Sequence, residues 1–370
     1  MGARVSSIRT RLVPLPLATP ITTPNYRIEA VWNLLVEVRD GDDVAGRGYL
    51  WCFGRDEAVM LREAIRVTAS GLVGADPERP DDAMRQMRRR LNFFGFKGVV
   101  VFAMSALDLA LVDLGLRQDG VSLSRRLHGI EVQPPRAYWS GLFLDSSVEE
   151  LLAEVDDALA LGLQAVKLRV GARELADDIR RVHAVREHLP DDAVLMLDAV
   201  QRWVPDEAIT AARAFADAAP TWLEDPVVHS DYAGLARVVQ HSPVPIASGE
   251  NEYLSEGFDQ LLETRLPYLL ADLQRVGGIT EWGRVQTRVS DSGAVLTSHT
   301  YPHVAAQLCA GAAESWVEYV PWWDVLMDHD LTFRNGRVVV RDEPGTGIAW
   351  DTAVIDELAA GPWEELVERS

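Results

Sequence analysis

Val194-Leu195-Met196-Leu197-Asp198, Trp222-Leu223-Glu224-Asp225-Pro226 and Pro245-Ile246-Ala247-Ser248-Gly249-Glu250 are three short apolar runs, each leading to an acid. The acids Asp198, Glu224 and Glu250 are 26 residues apart in both intervals. A strand, its return helix and their loops take about that length in a (β/α)8 barrel of roughly 250 residues. Each carboxylate then stands at the C-terminal mouth of its own strand, where such barrels keep their active sites. Three carboxylates aimed at one point repel unless a cation joins them, and hard oxygen donors suit Mg2+. One strand-terminal acid is ordinary loop chemistry. Three in regular phase point to a metal site.

Working outward, 370 residues exceed the usual size of one core, so an α/β barrel with a smaller domain is the natural division. With 48% hydrophobic and 25% charged residues the composition is that of a soluble globular protein. The net charge is −20, from 36 basic and 56 acidic residues, and no basic run of useful length exists. That balance argues against a nucleic-acid partner. Met87-Arg88-Arg89-Arg90 follows closely on Asp81 and Asp82 and reads as a solvated helix face. Cys52 and Cys309 lie far apart and match no metal or redox spacing, which suits a reducing cytoplasm. No signal-peptide pattern and no run of 18 apolar residues is read, so no membrane span is expected.

Lysine usage is skewed. Of the 36 basic residues only Lys97 and Lys167 are lysine. Where the chain keeps lysine in place of arginine, a role only lysine can fill becomes the working expectation.

Residues 1–130 read as an α+β domain that caps the barrel. Val5–Leu17, Ala30–Arg39 and Ala45–Trp51 have strand patterns, the last two joined by Arg39-Asp40-Gly41-Asp42-Asp43. Helical patterns follow near 55–70, 80–92 and 99–117, the last apolar on most faces and therefore buried. Two loops, Thr19–Tyr26 and Trp51–Arg55, have the composition of a lid. Residues 131–325 alternate strand and helix, which argues for a parallel sheet. Eight strands are predicted: Ala137–Leu142, Ala165–Val170, Ala193–Asp198, Thr221–Glu224, Val244–Ser248, Tyr268–Leu273, Ala294–Ser298 and Trp316–Tyr319. That is the number a closed (β/α)8 TIM-type barrel needs. The segment 326–370, with a hairpin pattern around Asn335-Gly336 and a helical tail, is expected to return to the cap.

Groups suited to proton transfer surround the three acids. Lys167 and Arg169 in Lys167-Leu168-Arg169 share one strand face, because alternate residues point the same way. Ser298-His299 ends the seventh strand and Asp272 ends the sixth, so a base and the carboxylate that orients it come from neighbouring strands. Glu318 on the eighth strand completes the ring of inward polar ends.

At these residues the chain resembles the enolase superfamily and, within it, the mandelate racemase subgroup. Ala165-Val166-Lys167-Leu168-Arg169-Val170-Gly171 is similar to the family's second-strand segment, where K-x-K is common. Asp198, Glu224 and Glu250 match its three metal ligands. Asp272 followed by Gly277-Gly278-Ile279-Thr280, then Ser298-His299, resembles its His–Asp dyad, and Trp316-Val317-Glu318-Tyr319 its eighth-strand acid. Leu331-Thr332-Phe333 and Pro344-Gly345-Thr346-Gly347-Ile348 are like its closing segment. The resemblance implies Mg2+, a small carboxylic acid as substrate and removal of the proton α to its carboxylate. A divalent cation stabilises the enediolate that results. Lys167 is then expected to add charge at that carboxylate, Glu318, if protonated, to hydrogen-bond it, and Ser140 to contact it. A symmetric homo-oligomer is implied as well.

Two departures from the family pattern matter. The second lysine of K-x-K is Arg169, which does not give up its proton near neutrality. Racemisation by two bases on opposite faces then lacks a partner, and one-face chemistry at His299, such as dehydration of a hydroxy acid or sugar acid, is favoured. Lys167 could take the base role if Arg169 beside it depressed its pKa. The second departure is Val200, where the family often has Asn two residues beyond the first ligand. Trp51, Trp203, Trp322 and Trp323 fall in loops expected at the mouth and suit an apolar acid better than a polyol. Lys97, in Phe93-Phe94-Gly95-Phe96-Lys97-Gly98, is a further candidate for a contact from the cap. A dehydratase-like lyase, an isomerase of racemase, epimerase or cycloisomerase type, and a barrel that binds an acid without turning it over are the three functional classes.

Overall fold

The computed structural model describes residues 3–22, 27–171 and 174–368. Strands Val5–Thr22 (β1), Arg27–Asp40 (β2) and Ala45–Cys52 (β3) pair antiparallel in sequence order. Helices Arg55–Ala69 (α1), Pro80–Leu91 (α2) and Val99–Asp119 (α3) follow. Of the expected lid loop Thr19–Tyr26, residues 19–22 belong to β1 and residues 23–26 lie outside the described residues. The second expected loop shrinks to Phe53 and Gly54, because β3 carries Trp51 and Cys52 and α1 begins at Arg55.

Helix α3 lies hard against the sheet because β3 presents glycines to it. A Cβ on Gly46 would stand 2.1 Å from the carbonyl oxygen of Ala110, and one on Gly48 2.5 Å from that of Ala106. By length and composition α3 could cross a membrane. It is instead mostly buried, and its two inner acids are bonded to protein. Asp108 accepts from Thr280, and Asp113 from Arg47, Thr346 and Arg117.

The second body is a ring of eight parallel strands. They are Arg136–Trp139 (β4), Ala165–Arg169 (β5), Val194–Asp198 (β6), Leu223–Glu224 (β7), Ile246–Ser248 (β8), Tyr268–Asp272 (β9), Val295–His299 (β10) and Trp316–Tyr319 (β11). Ladders run in order from β4 to β10, and β11 pairs with β4. Side-chain hydroxyls span the last seam, between β10 and β11. Thr297 donates to the Trp316 carbonyl at 2.6 Å, Ser315 to that of Leu296 at 2.6 Å, and the Glu318 N–H to Ser298 at 3.2 Å. The intervening helices start where the sequence supplies caps: Ser147 and Glu150 form a capping box before Val148–Ala160, and Asp231 caps Tyr232–His241.

Inside the ring is a packed floor of Tyr138, Ala165, Met196, Trp222, Ala247, Leu270 and Trp316, six of them from strands and Trp222 immediately before β7. Strand side chains repeat their direction every second residue. The next inward layer is therefore Ser140, Lys167, Asp198, Glu224, Asp272 and Glu318. The candidate site rests on that floor.

Beyond the ring, Phe333–Arg334 (β12) and Arg337–Val338 (β13) form the hairpin around Asn335-Gly336. It pairs with β4, not with the first domain as expected. Gly336 binds the carbonyl of Gly162 and the N–H of Ala137, which ties the hairpin to the barrel. The return to the first domain is made later, by Glu364–Glu368 (β14), antiparallel to β1.

Candidate active site

Lys167 is the hub of the inward layer. Its ammonium is 2.8 Å from Glu224, 2.8 Å from Glu318 and 3.7 Å from Asp198, and 5.4 Å above the Tyr138 ring. Burial alone would push this ammonium down, but Glu224, Glu318 and Asp198 outweigh it and hold its pKa well above the ordinary value. Its nearest neighbours are carboxylates, which favour the charged form, the opposite direction to the depression by Arg169 considered from sequence.

On the other side, His299 Nδ1 is 2.7 Å from Asp272 and Nε2 is 3.0 Å from Glu250. Burial lowers the imidazole's proton affinity, yet Glu250, Glu318 and Asp272 together raise it well above the usual histidine value. Glu318 accepts from Ser140 at 2.6 Å, from Lys167 and from the Thr300 N–H at 2.8 Å. Burial would raise its carboxyl, but Lys167 and His299 bring it down to about 2. With these donors around it, Glu318 is placed as an acceptor, which disfavours the protonated form.

Arg169 stands one pleat above Lys167. Its guanidinium donates to the Gly141 carbonyl and to Ser140 at 3.3 Å, lies 3.9 Å from Asp198, and packs 4.7 Å over the Phe143 ring. It is clamped to the rim. The strand ends here turn sharply: Val200, Gln201, Asp225, Thr300 and Tyr301 all have positive φ. Strained non-glycine backbone of this kind clusters at functional sites.

The three expected metal ligands are near one another, but their oxygens face cations of the protein. Glu224 is bonded to Lys167 and Trp222, and Glu250 to His299 and Asn251. Among the described residues no group of three His, Cys, Asp or Glu side chains is arranged to hold a metal ion. The donor set nevertheless fits one. Glu224 is pushed well above the carboxylate range, first by burial and then by Asp198, Glu318 and Glu250 against the opposing pull of Lys167. Asp225 is pushed up to about 8, by burial and by Glu250, despite a 2.5 Å bond from Ser248. The buried Glu224 oxygens would suit a hard divalent cation, and the Lys167 ammonium stands in for one between Asp198 and Glu224.

The remaining predicted residues divide. Ser140 is within the site. Trp51 is buried and makes edge contacts with Phe53, Trp322 and Trp323 at 5.3, 6.5 and 5.5 Å. Trp323 is a packing residue between the two bodies, fully buried and bonded through its indole N–H to Asn33 of β2 at 2.9 Å. Trp203 lies apart, against Phe215. Lys97 is exposed, and among the described residues no hydrogen bond or ion pair of the site reaches it. The sequence reading missed Trp222, Asp225, Asn251 and Arg275, the last 3.3 Å from Asp272. Only Trp222 carried a usable signal, since it precedes Glu224 by one strand repeat.

Comparison with known proteins follows this geometry. Residues 6–127 match the family model described as mandelate racemase / muconate lactonizing enzyme, N-terminal domain, and residues 150–354 the one described as enolase C-terminal domain-like. A 3,6-anhydro-alpha-L-galactonate cycloisomerase of Streptomyces coelicolor is 30% identical, over 96% of this chain and 100% of its own. An L-talarate/galactarate dehydratase of Salmonella typhimurium is 30% identical, over 94% of this chain and 89% of its own. The crystal structure of L-talarate dehydratase from Polaromonas sp. JS666, complexed with Mg and L-glucarate, superposes with a TM-score of 0.92 at 28% identity, covering 99% of this chain and 100% of that one.

Proposed function

Because the chain belongs to the mandelate racemase / muconate lactonizing enzyme family of the enolase superfamily, we propose that it is a Mg2+-dependent enzyme that removes the proton α to a carboxylate. We propose further that it uses the family's His–Asp dyad and dehydrates a sugar acid or related hydroxy acid. The observation that carries this reading is the His299–Asp272 pair, 2.7 Å apart and facing the acid layer across from Lys167. It is supported by relatives that act on sugar acids, a dehydratase and a cycloisomerase among them.

The residues divide the work as follows. Asp272 accepts from Nδ1–H of His299 and so leaves Nε2 as the basic nitrogen toward the substrate. Nε2 takes the α-proton. Lys167 keeps positive charge beside the substrate carboxylate, and Ser140 offers a hydroxyl there. Asp198, Glu224 and Glu250 would hold Mg2+, which would supply Lewis-acid stabilisation of charge developing on that carboxylate. The imidazolium then returns its proton to the departing β-hydroxyl, so one side chain serves as base and then as acid. Water and a 2-keto acid are the products after tautomerisation. Arg169 is clamped and strongly basic, which leaves no second base on the facing strand and disfavours racemisation.

Cycloisomerisation is the second reading, favoured by the Streptomyces relative. If the departing oxygen belongs to a ring, the same proton abstraction opens the ring and nothing is lost as water. The reading also takes residues 1–130 and the tail of 326–370 as cap, and a cytoplasmic homo-oligomer acting on a small carboxylic acid as the working form. Incubation with a panel of sugar acids in D2O tests it. A 2-keto acid with loss of water supports the dehydratase, α-deuterium in an isomeric product supports the isomerase, and no exchange on any acid leaves a binding barrel.

A further inference from the structure

Trp222 is the one floor residue that reaches up to a candidate metal ligand. Its indole N–H donates to Glu224 Oε2 at 3.1 Å, while Lys167 occupies Oε1 at 2.8 Å. Both Trp222 and Glu224 are fully buried. The indole is clamped by neighbouring rings, Tyr268 at 5.1 Å, Tyr138 at 5.6 Å and Trp316 at 6.2 Å between centroids. Its N–H direction is therefore set by packing, and strand register sets its position, since residues 222 and 224 share a face.

We propose that Trp222 is a positioning residue for Glu224, whose N–H bond fixes the plane of that carboxylate for divalent-cation binding. This rests on the reading of Glu224 as a metal ligand. The terminal torsion of a glutamate is broad, so one bond, from Lys167 to a single oxygen, leaves the carboxylate free to turn about it. A second bond on the other oxygen, from a rigid donor, removes that freedom. Charge separates Trp222 from the other partner of Glu224. Lys167 binds Glu224 through an ammonium, which a divalent ion repels. Indole N–H is a neutral donor with no acceptor capacity, so its bond survives when a cation arrives.

The experiment measures Mn2+ binding by electron paramagnetic resonance in the full-length protein. Wild type is compared with Trp222→Phe and with 3-benzothienylalanine incorporated at position 222, which retains the bicyclic ring and replaces N–H by sulfur. Outer partners of metal ligands are worth about 10- to 100-fold in affinity, and a loss in that range is expected in both variants, with the metal-free melting temperature of the benzothienyl protein unchanged. If Trp222→Phe fails to fold, the benzothienyl protein alone decides. Affinity within about twofold of wild type in a folded variant overturns the proposal. Wild type that binds no Mn2+ overturns the metal reading of Glu224 itself, and this inference with it.

Discussion

Asp272 and His299 are Cα partners in the parallel ladder between β9 and β10, and the carboxylate meets Nδ1 of the imidazole at 2.7 Å. Adjacent strands of one ring hold the two side chains, so the pair is as rigid as the sheet. His299→Asn keeps a polar side chain and loses the basic nitrogen. Exchange of the α-proton with solvent should fall by about 10²- to 10⁴-fold, with binding of an inert substrate analogue nearly unchanged. Asp272→Asn should cost less, through mispositioning and the wrong tautomer. Wild-type exchange in His299→Asn would remove the histidine from the chemistry.

Glu224 carries the metal prediction. Glu224→Gln keeps the side chain's size, but its single amide oxygen can accept from only one of Lys167 and Trp222, which bind different carboxylate oxygens at 2.8 and 3.1 Å. It removes the negative charge. Metal binding and activity should disappear together while the protein stays folded. Full activity of wild type in chelator-treated, metal-free buffer would contradict the assignment.

The barrel and most of its polar layer were legible because strand period and barrel geometry turn spacing into direction. Asp198, Glu224, Asp272 and Glu318 could be placed at strand ends from the apolar runs before them. Asp225 and Asn251 could not, since they lie beyond strand ends in turns whose backbone follows no period. Charge state was the second blind spot. Arg169 beside Lys167 suggested a depressed lysine, whereas residues distant in the chain, Glu224 and Glu318, press the other way. The hairpin at Asn335-Gly336 was read correctly as local structure and assigned to the wrong body, because a turn signal says nothing about the sheet it joins.

Val200 is a β-branched residue at φ +47°. Its N–H binds Asp198 at 2.9 Å, and the carbonyls of Glu224 and Asp225 hold the N–H groups of Ala199 and Gln201 on either side. The turn is imposed by these bonds, and an ordinary side chain in the left-handed region costs about 1–2 kcal/mol. Asparagine tolerates that region, so Val200→Asn should stabilise the protein by about 1 kcal/mol. Urea unfolding measures it. A lower midpoint would mean that the Val200 side chain contributes more by packing than its backbone loses.

Asp108 of α3 joins the two bodies, accepting from the Thr280 hydroxyl at 2.5 Å and the Thr280 N–H at 2.9 Å. Burial raises its carboxyl to about 7, against the lowering effect of these donors. A carboxyl raised on folding stabilises most below its unfolded value of about 4, and that stabilisation is lost as pH rises through the folded value. Asp108→Asn has no proton to lose. Its melting temperature should therefore gain on that of wild type between about pH 5 and pH 8. A difference that does not change with pH would show that Asp108 is ionised throughout.

Arg169→Lys asks whether one arginine restricts the reaction to one face. In the ring β5 and β10 are three strands apart, through β4 and β11, so a base at position 169 would address the substrate from a different side than His299. Arginine cannot serve, because its proton is held to a pKa above about 12, and here the Gly141 carbonyl and the Ser140 hydroxyl also bind it. Lysine is shorter and has a pKa that burial can lower. The variant should lose turnover in the main reaction, since it gives up the stacking on Phe143 and one arm of the clamp. It should gain slow exchange of the α-proton in substrate or product of the opposite configuration, read as deuterium by NMR. Gain without inversion would place the new amine in reach of the α-carbon but not in the geometry for return. No gain at all would mean that the one-face outcome is set by how the substrate is held, with Arg169 serving only as a brace for Ser140 and Gly141.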